Sequence, residues 1–423
     1  MKLFILSIFL LVASLQTFAS FDDWFVNKTL RIDYYHTGNS KSELYSIDQV
    51  KSEPFWGGSH TTLLDTLNFG EYYFKAFDAK TNTLIYSRGY CALFDEWRFT
   101  EEAKHTTRTF NETAVMPFPK NDVRIEIYSR NFMGLYEKKF DYTIEVKNYF
   151  ISSERQMKFP VYDVLNSGDP ATKVDIVILP EGYTAAEMDR FKADCDKFAA
   201  GLFTVEPYTH NRDKFNIRAV LAPSAESGTD IPRDKVWKNT ILNSSFYTFD
   251  SERYLMTSDN QSVRNLAANA PYDQIYILAN TTKYGGGAIY NLYSMSVNSN
   301  ASSAKIFGHE FGHGFAALAD EYDDGSTSFN DMYPLNLEPW EPNITTLVKF
   351  ETKWKNMLPA NTPVPTPIKN SSPMKLGVYE GAGYVAKGVY RPTPDCLMRT
   401  FAGNEFCPVC KAAIQRMIDF YTR

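Results

Sequence analysis

The segment GHEFGHGFAALADEY, residues 308–322, sets two of the chain's six histidines four residues apart, with a glutamate directly after the first. Residues at that spacing share one helix face, so His309 and His313 can turn both imidazoles toward one cation. Glu310 falls about a third of a turn away, beside such an ion rather than on it. Zinc held by two imidazoles and a third protein ligand keeps a fourth position for water and lowers its pKa toward ~7. Glu310 is then placed to take the proton as general base while the water attacks a polarised carbonyl. The pattern points to zinc-dependent hydrolysis, with His309 and His313 as metal ligands and Glu310 as catalytic residue.

No histidine follows His313, so the third ligand must be of another type. Gluzincins take it from a glutamate on a later helix. The metzincin design puts a glycine where this chain has Ala316 and the ligand where it has Ala319, so the standard pattern is not met. Asp320 lies one residue further. A carboxylate oxygen ligates zinc at ~2.0–2.2 Å, and a chain leaving the helix at Leu318 can return Asp320 to the metal. Asp320 is the expected third ligand; the adjacent Glu321, chemically equal, and a distant residue are the alternatives. Asp323 and Asp324 read as a solvated acidic turn, with a calcium site as the second reading.

Downstream, YRPTPDCLMRTFAGNEFCPVC places Met398 in a turn-like segment beside Cys396. In metzincins a methionine turn forms an apolar floor under the zinc site, and Met398 fits that place; plain core is the other reading. Three of the five cysteines, Cys396, Cys407 and Cys410, crowd into this region. One disulfide among them is expected in an oxidising compartment, with the pairing left open; a structural zinc on the same three is the alternative. Cys91 and Cys195 read as small buried side chains.

These residues need a scaffold. At 423 residues the chain exceeds one ordinary core, and 44% hydrophobic with 22% charged residues places it among folded proteins, so two domains are expected. From about residue 20 to 150, short aromatic and β-branched runs alternate with turn residues, as in EYYFKAFDAKTNTLIYSRGY and DVRIEIYSRNF, which predicts an antiparallel β-sandwich. Its histidines, His36, His60 and His105, are scattered, and its expected role is structural or substrate-positioning. Residues 151–172 lack a period and contain Pro160, Gly168 and Pro170, marking a linker. Residues 173–423 then supply a continuous apolar strand in KVDIVILPEGYT and further strands at FNIRAVLA and DQIYILAN, with helices packed on the sheet. Thr184 and Glu187 form a capping box for one helix. Ser302 or Ser303 caps the motif helix, whose Ile306, Phe307, Phe311, Phe315 and Leu318 keep helical spacing and which is expected to end around LADEYDDG. The fold class is α+β: a sandwich followed by a peptidase domain with a mixed sheet and an active-site helix.

The start, MKLFILSIFLLVASLQTFAS, gives one lysine, a short apolar stretch and small residues near Ala19, the pattern of a cleaved secretory signal at 1–19. Later segments offer no apolar run of membrane-spanning length, so a secreted, periplasmic or cell-surface protein is expected, without a stable membrane span. With formal net charge −6 and no basic run, a nucleic-acid partner is not expected.

The motifs DIVILPEGYT, SAESGTDIP, HEFGHGFAALADEY and GVYRPTPDCLM followed by FCPVC, in this order, resemble the bacterial immunoglobulin A peptidase family of secreted zinc metalloendopeptidases, metzincin-like enzymes. The resemblance spans about residues 174 to 410, with the preceding segment similar to the family's N-terminal domain. It implies zinc as cofactor on His309 and His313, catalysis by Glu310, a Met398 turn and a protein or peptide substrate, but not immunoglobulin as that substrate. Tyr384 or Tyr390 is a candidate for binding the oxyanion, as tyrosines do in several zincins. The glycine-rich KYGGGAIYNLYSMSV, or DQIYILAN, is a candidate edge strand for substrate addition. Two other functions remain: an exported surface protein binding glycan or host protein with a structural zinc, and a zinc hydrolase of small non-peptide substrates. A purely structural site has no use for a non-ligand glutamate at position 310.

Overall fold

In the computed structural model, residues 20–323, 332–369 and 371–423 are described. The expected signal segment and Asp324 lie outside them.

The N-terminal half begins with a single-turn helix α1 (Phe21–Trp24). Seven strands follow: β1 (Phe25–Gly38), β2 (Glu43–Glu53), β3 (Tyr72–Asp78), β4 (Leu84–Tyr90), β5 (Arg108–Pro119), β6 (Val123–Arg130) and β7 (Tyr136–Ile144). They form two antiparallel sheets, ordered β2-β1-β5 and β4-β3-β6-β7. Aromatic residues meet between the sheets: the His36 ring packs edge-on to Tyr72 at 5.4 Å, and the Tyr34 and Tyr90 hydroxyls hydrogen bond at 2.7 Å. A short helix α2 (Leu93–Arg98) leaves β4.

β1 is buried on both faces from Leu30 to Tyr34 because its second face does not meet water. Arg31 and Asp33, both fully buried, pair at 2.7 Å, and Arg31 also donates to Asn265 at 2.8 Å. Asp33 accepts from Thr113, which in turn accepts from Asn260. Asn260 and Asn265 belong to the second half, so the sandwich docks through a hydrogen-bonded charge network rather than hanging on a tether.

The second half is built on a six-stranded sheet of β8 (Val161–Leu165), β9 (Val174–Glu181), β10 (Phe215–Val220), β11 (Gln274–Ala279), β12 (Gly286–Ile289) and β13 (Tyr293–Val297), in the order β12-β13-β11-β9-β10-β8. β8 falls inside 151–172, so this sheet begins within the stretch read as a linker. The central pairs are parallel and both edges antiparallel, a mixed sheet. All residues of β9, β10 and β11 are buried, Asp175, Asn216 and Arg218 among them, which is why their sequences are rich in apolar residues without an outward polar alternation. Three helices are interleaved with the strands: α3 (Met188–Leu202), entered through the Thr184–Glu187 capping box, α4 (Asn260–Ala267) and the motif helix α5 (Ser303–Ala316). A hairpin, β14 (Tyr379–Ala382) and β15 (Val385–Arg391), and the C-terminal helix α6 (Pro408–Thr422) complete the fold. No helix among the described residues is long and apolar enough to cross a membrane.

β11 sits between β13 and β9, so DQIYILAN has no free edge. The edge strand is β12, from the glycine-rich segment. The first turn of its outer side is shared with the loop at Arg253–Leu255, which exchanges backbone hydrogen bonds with Gly286.

Candidate active site

α5 is fixed by its apolar residues: Ile306, Phe307, Phe311 and Phe315 are each no more than 3% exposed. Phe307 stacks on Tyr276 of β11 at 3.9 Å and Phe311 on Phe315 at 5.0 Å. Gly314 allows the helix to lie against β13, since a Cβ there would fall 2.2 Å from Ser294 Oγ. Burial of one face turns His309, Glu310 and His313 into a cleft of about 370 Å³, which Asp320, Tyr322 and Tyr384 also line.

The helix ends earlier than the acidic stretch suggests. Ala317 adopts a left-handed conformation, φ +57°, and its amide bonds back to His313 O at 3.1 Å. The reversal stands one residue beyond the metzincin glycine position, and Asp320 stands one residue beyond the metzincin ligand position. The two offsets cancel, and Asp320 Oδ1 comes within 3.1 Å of His309 Nε2 and 3.3 Å of His313 Nε2. The two Nε2 atoms are 3.1 Å apart. Tetrahedral zinc with bonds of ~2.0–2.1 Å to nitrogen and oxygen would hold its ligands ~3.3 Å from one another.

The surroundings fit a cation as well. His309 Nδ1 lies 2.9 Å from Leu397 O and His313 Nδ1 2.5 Å from Leu318 O. Carbonyls only accept, so each Nδ1 carries the proton and each Nε2 points its remaining site at the shared centre. Apart from the two imidazoles, Asp320 Oδ1 is buried without a partner. Its Oδ2 accepts from Tyr322 at 2.8 Å and Tyr384 at 2.6 Å. Burial works against charge on both Asp320 and His313, but their mutual attraction wins. It holds the Asp320 carboxyl well below its usual range and lifts His313 to about 9. Below about that pH a proton on His313 stands in where no cation does.

Glu310 places its carboxylate within 4.8 Å of both imidazoles, beside Gly286 of β12, where a Cβ would sit 2.8 Å from Oε1. Burial pushes the Glu310 carboxyl up, against the pull of the two imidazoles.

Below the helix, Met398 is fully buried, its sulfur 2.9 Å from where a Cβ on Gly312 would stand. Arg399 and Thr400 amides bond back to Cys396 O, closing a turn around it. That turn supplies Leu397 O to His309, and Met398 O accepts from the Glu321 amide at 2.8 Å. It thus touches both the helix and the loop that carries Asp320.

Family profiles described as IgA Peptidase M64 and Peptidase M64 N-terminus match residues 162–374 with 368–418 and residues 20–141, respectively. The chain belongs to the IgA peptidase M64 family. It is accordingly a peptidase, acting on protein substrates. The comparison with curated proteins gives no match.

Other expected residues of this M64 peptidase fall in different places. Glu321 turns away from the imidazoles, its Oε1 lying 3.2 Å from Cys410 Sγ. Tyr384 sits with Gly383 in the two-residue turn of the β14/β15 hairpin, both at positive φ, which aims its hydroxyl at Asp320 rather than at open space in the cleft. Tyr390 pairs its backbone with Thr345 and is not among the cleft-lining residues. Asp323 is paired with Arg399 at 3.3 Å. All five cysteines are free, so the expected disulfide is not formed; Cys396 and Cys410 sulfurs are 3.8 Å apart.

Several cleft residues carry no signal in the sequence. Tyr322 closes the motif segment, yet nothing in its type marks it as a partner of Asp320. Arg253 donates to the Tyr322 hydroxyl at 3.1 Å and brings positive charge to the cleft. Asp95 and Glu96 come from α2 of the sandwich half, and Glu96 accepts from Tyr254. Burial lifts Glu96 to about 7. The half expected to be structural or substrate-positioning thus forms one wall of the cleft.

Proposed function

We propose that this M64 peptidase is an exported zinc-dependent endopeptidase, with His309, His313 and Asp320 as metal ligands and Glu310 as general base. The observation that carries the reading is the convergence on a single point of two Nε2 atoms and one carboxylate oxygen with no partner besides them, next to a second acidic group. When bound there with one position open, zinc supplies a Lewis acid that polarises a carbonyl and acidifies water.

The rest is done by the chain's own groups. Leu397 O and Leu318 O fix the imidazole tautomers. Tyr322 and Tyr384 hold Asp320 by its second oxygen, leaving Oδ1 for the cation. Both are hydrogen-bond donors committed to that carboxylate, so Tyr384 is a positioning residue here rather than an oxyanion donor. Glu310, partly shielded from bulk water and held against Gly286, accepts a proton at its carboxylate as water attacks the scissile carbonyl, and returns it to the leaving amine. β12 borders the cleft from Gly286 to Ile289; Gly286 is taken by the Arg253–Leu255 loop, and past it the outer edge is one along which an extended peptide can pair. Such pairing favours unfolded or loop segments of proteins over small non-peptide substrates. Export is supported by the short apolar stretch of residues 1–19, which has the sequence pattern of a secretory signal.

Glu310→Gln tests the base directly. The variant is expected to keep wild-type zinc content and to lose ~10²–10⁴-fold in cleavage rate on casein or gelatin, the range for a general base. Cleavage at the wild-type rate would reject the assignment.

A further inference from the structure

Behind the cleft lies a second group of metal-ligating atoms. Glu321, Cys396, Cys407 and Cys410 bring one oxygen and three sulfurs within 4.8 Å of one another. All four are buried, from 0 to 4% exposed. We propose that these residues form a second metal site, a closed structural zinc centre of three thiolates and one carboxylate. It rests on these four residues and not on the peptidase mechanism.

The distances separate the two chemistries open to clustered cysteines. A disulfide requires sulfurs at ~2.05 Å. The Cys396 and Cys410 sulfurs stand 3.8 Å apart, and zinc with Zn–S bonds of ~2.3 Å in tetrahedral array would hold two sulfurs ~3.8 Å apart. A disulfide among three cysteines also leaves one thiol over, whereas a four-ligand centre uses all three. Cys407 and Cys410 are separated by two residues in CPVC at the start of α6, the spacing that lets one turn present both sulfurs to an ion.

The sulfurs are served by donors that favour thiolate. Cys407 is the N-cap of α6, and its sulfur accepts from the Cys410 amide at 3.4 Å. The Cys396 sulfur accepts from the Cys407 amide at 3.2 Å. Negative charge at a helix N-terminus is favourable. Glu321 Oε1 accepts from Asn343 at 2.9 Å, while Oε2 is buried with no partner. The nearby guanidinium of Arg391 donates through Nη1 to Glu380 O and Gly381 O rather than to the cluster. A buried carboxylate with Oε1 3.2 Å from the Cys410 sulfur and Oε2 without a donor, in a group with three thiols, is an arrangement a divalent cation would satisfy.

The consequence is structural. The ion would tie together the loop at Glu321, the turn at Cys396 and the first turn of α6. The first of these carries Asp320 on the preceding residue, and the second supplies Leu397 O to His309. Filling the closed centre would thereby hold the cleft ligands in place without touching substrate.

Elemental analysis and cobalt substitution of the full-length protein test this. Wild type is expected to bind two zinc ions per chain, and the cobalt form to show an intense thiolate-to-cobalt charge-transfer band. His309→Ala/His313→Ala should keep one ion and the whole band. Cys407→Ser/Cys410→Ser should lose the band and one ion. Should that variant not fold, the wild-type band and stoichiometry decide the question. Absence of the band, a single ion per chain in wild type that the histidine variant abolishes, or a disulfide among the three cysteines in purified protein would overturn the proposal. A wild-type enzyme with the thiolate band but no ion lost on histidine replacement would instead reject the cleft assignment and leave this one standing.

Discussion

Asp320 and Glu321 are neighbours with the same functional group, yet the chain sends them to opposite environments. Asp320 joins two imidazoles at the floor of a cleft that substrate can enter; Glu321 joins three cysteine sulfurs in a pocket that solvent does not reach. The two side chains leave the loop toward different partners, so one short loop serves both. Asn343 holds that loop, bonding Ala319 through both its amide ends while also donating to Glu321. Nitrogen and oxygen ligands with an open side suit an ion that must exchange water and substrate, and sulfur ligands with no open side suit one that never does. Residue type therefore says less about the role of an acidic side chain here than the direction in which the backbone presents it.

The contrast is broken most sharply by replacing each acid in turn. Asp320→Ala should weaken zinc binding at the cleft by more than about 100-fold, beyond what loss of a supporting hydrogen bond does, and abolish cleavage. Glu321→Ala should leave the cleft ion in place and act on the cysteine centre. Zinc titrations of both variants, followed by metal analysis after dialysis, check the pair; the opposite pattern would exchange the two roles.

Acid should act on the cleft ion through His313. In the metal-free site its folded pKa is lifted to about 9, so below that pH the cation must displace a proton. Apparent zinc affinity at the cleft should rise by about tenfold per pH unit up to that value and then level off. Competition with a chromogenic chelator from pH 6 to 10 reads this slope.

Tyr384→Phe removes one of two donors to Asp320 Oδ2. The expected loss is about 10-fold in zinc affinity, with kcat of the zinc-saturated enzyme little changed. A large fall in kcat at full occupancy would return Tyr384 to an oxyanion role. The smallest effect belongs to Ala317, an alanine held at φ +57°. Left-handed backbone costs a non-glycine residue ~1–2 kcal/mol, partly offset by the greater flexibility of glycine when unfolded, so Ala317→Gly should stabilise by about 0.5–1 kcal/mol in chemical denaturation.

The parts of this molecule that repeat locally were legible in its sequence. The period of α5, the apolar runs of β9, β10 and β11, and the alternation in the sandwich each encode which face meets the core, and the structure follows them. The place of Asp320 beside the two imidazoles was reachable because a fixed helix and a short return limit where the next acidic side chain can stand. What escaped depends on contacts far apart in the chain. Strand order made β11 central and β12 the edge, and no local pattern reports that order. Glu96 reaches the cleft only because Arg31 and Asp33 dock the sandwich on α4. The helix ends on Ala317, a residue with no preference for left-handed backbone, so no stop signal appears and the tertiary fold imposes the turn. For Cys396, Cys407 and Cys410 the residue types were plain, but disulfide and metal chemistry differ by less than 2 Å in sulfur separation, which spacing in sequence does not resolve.

The most direct test is metal removal and return. Purified protein stripped of zinc at the cleft by a chelator, then titrated with zinc while cleavage of a protein substrate and bound metal are followed together, should regain activity in proportion to filling of the His309, His313 and Asp320 site. Full cleavage by protein without a metal ion in that site would contradict the mechanism.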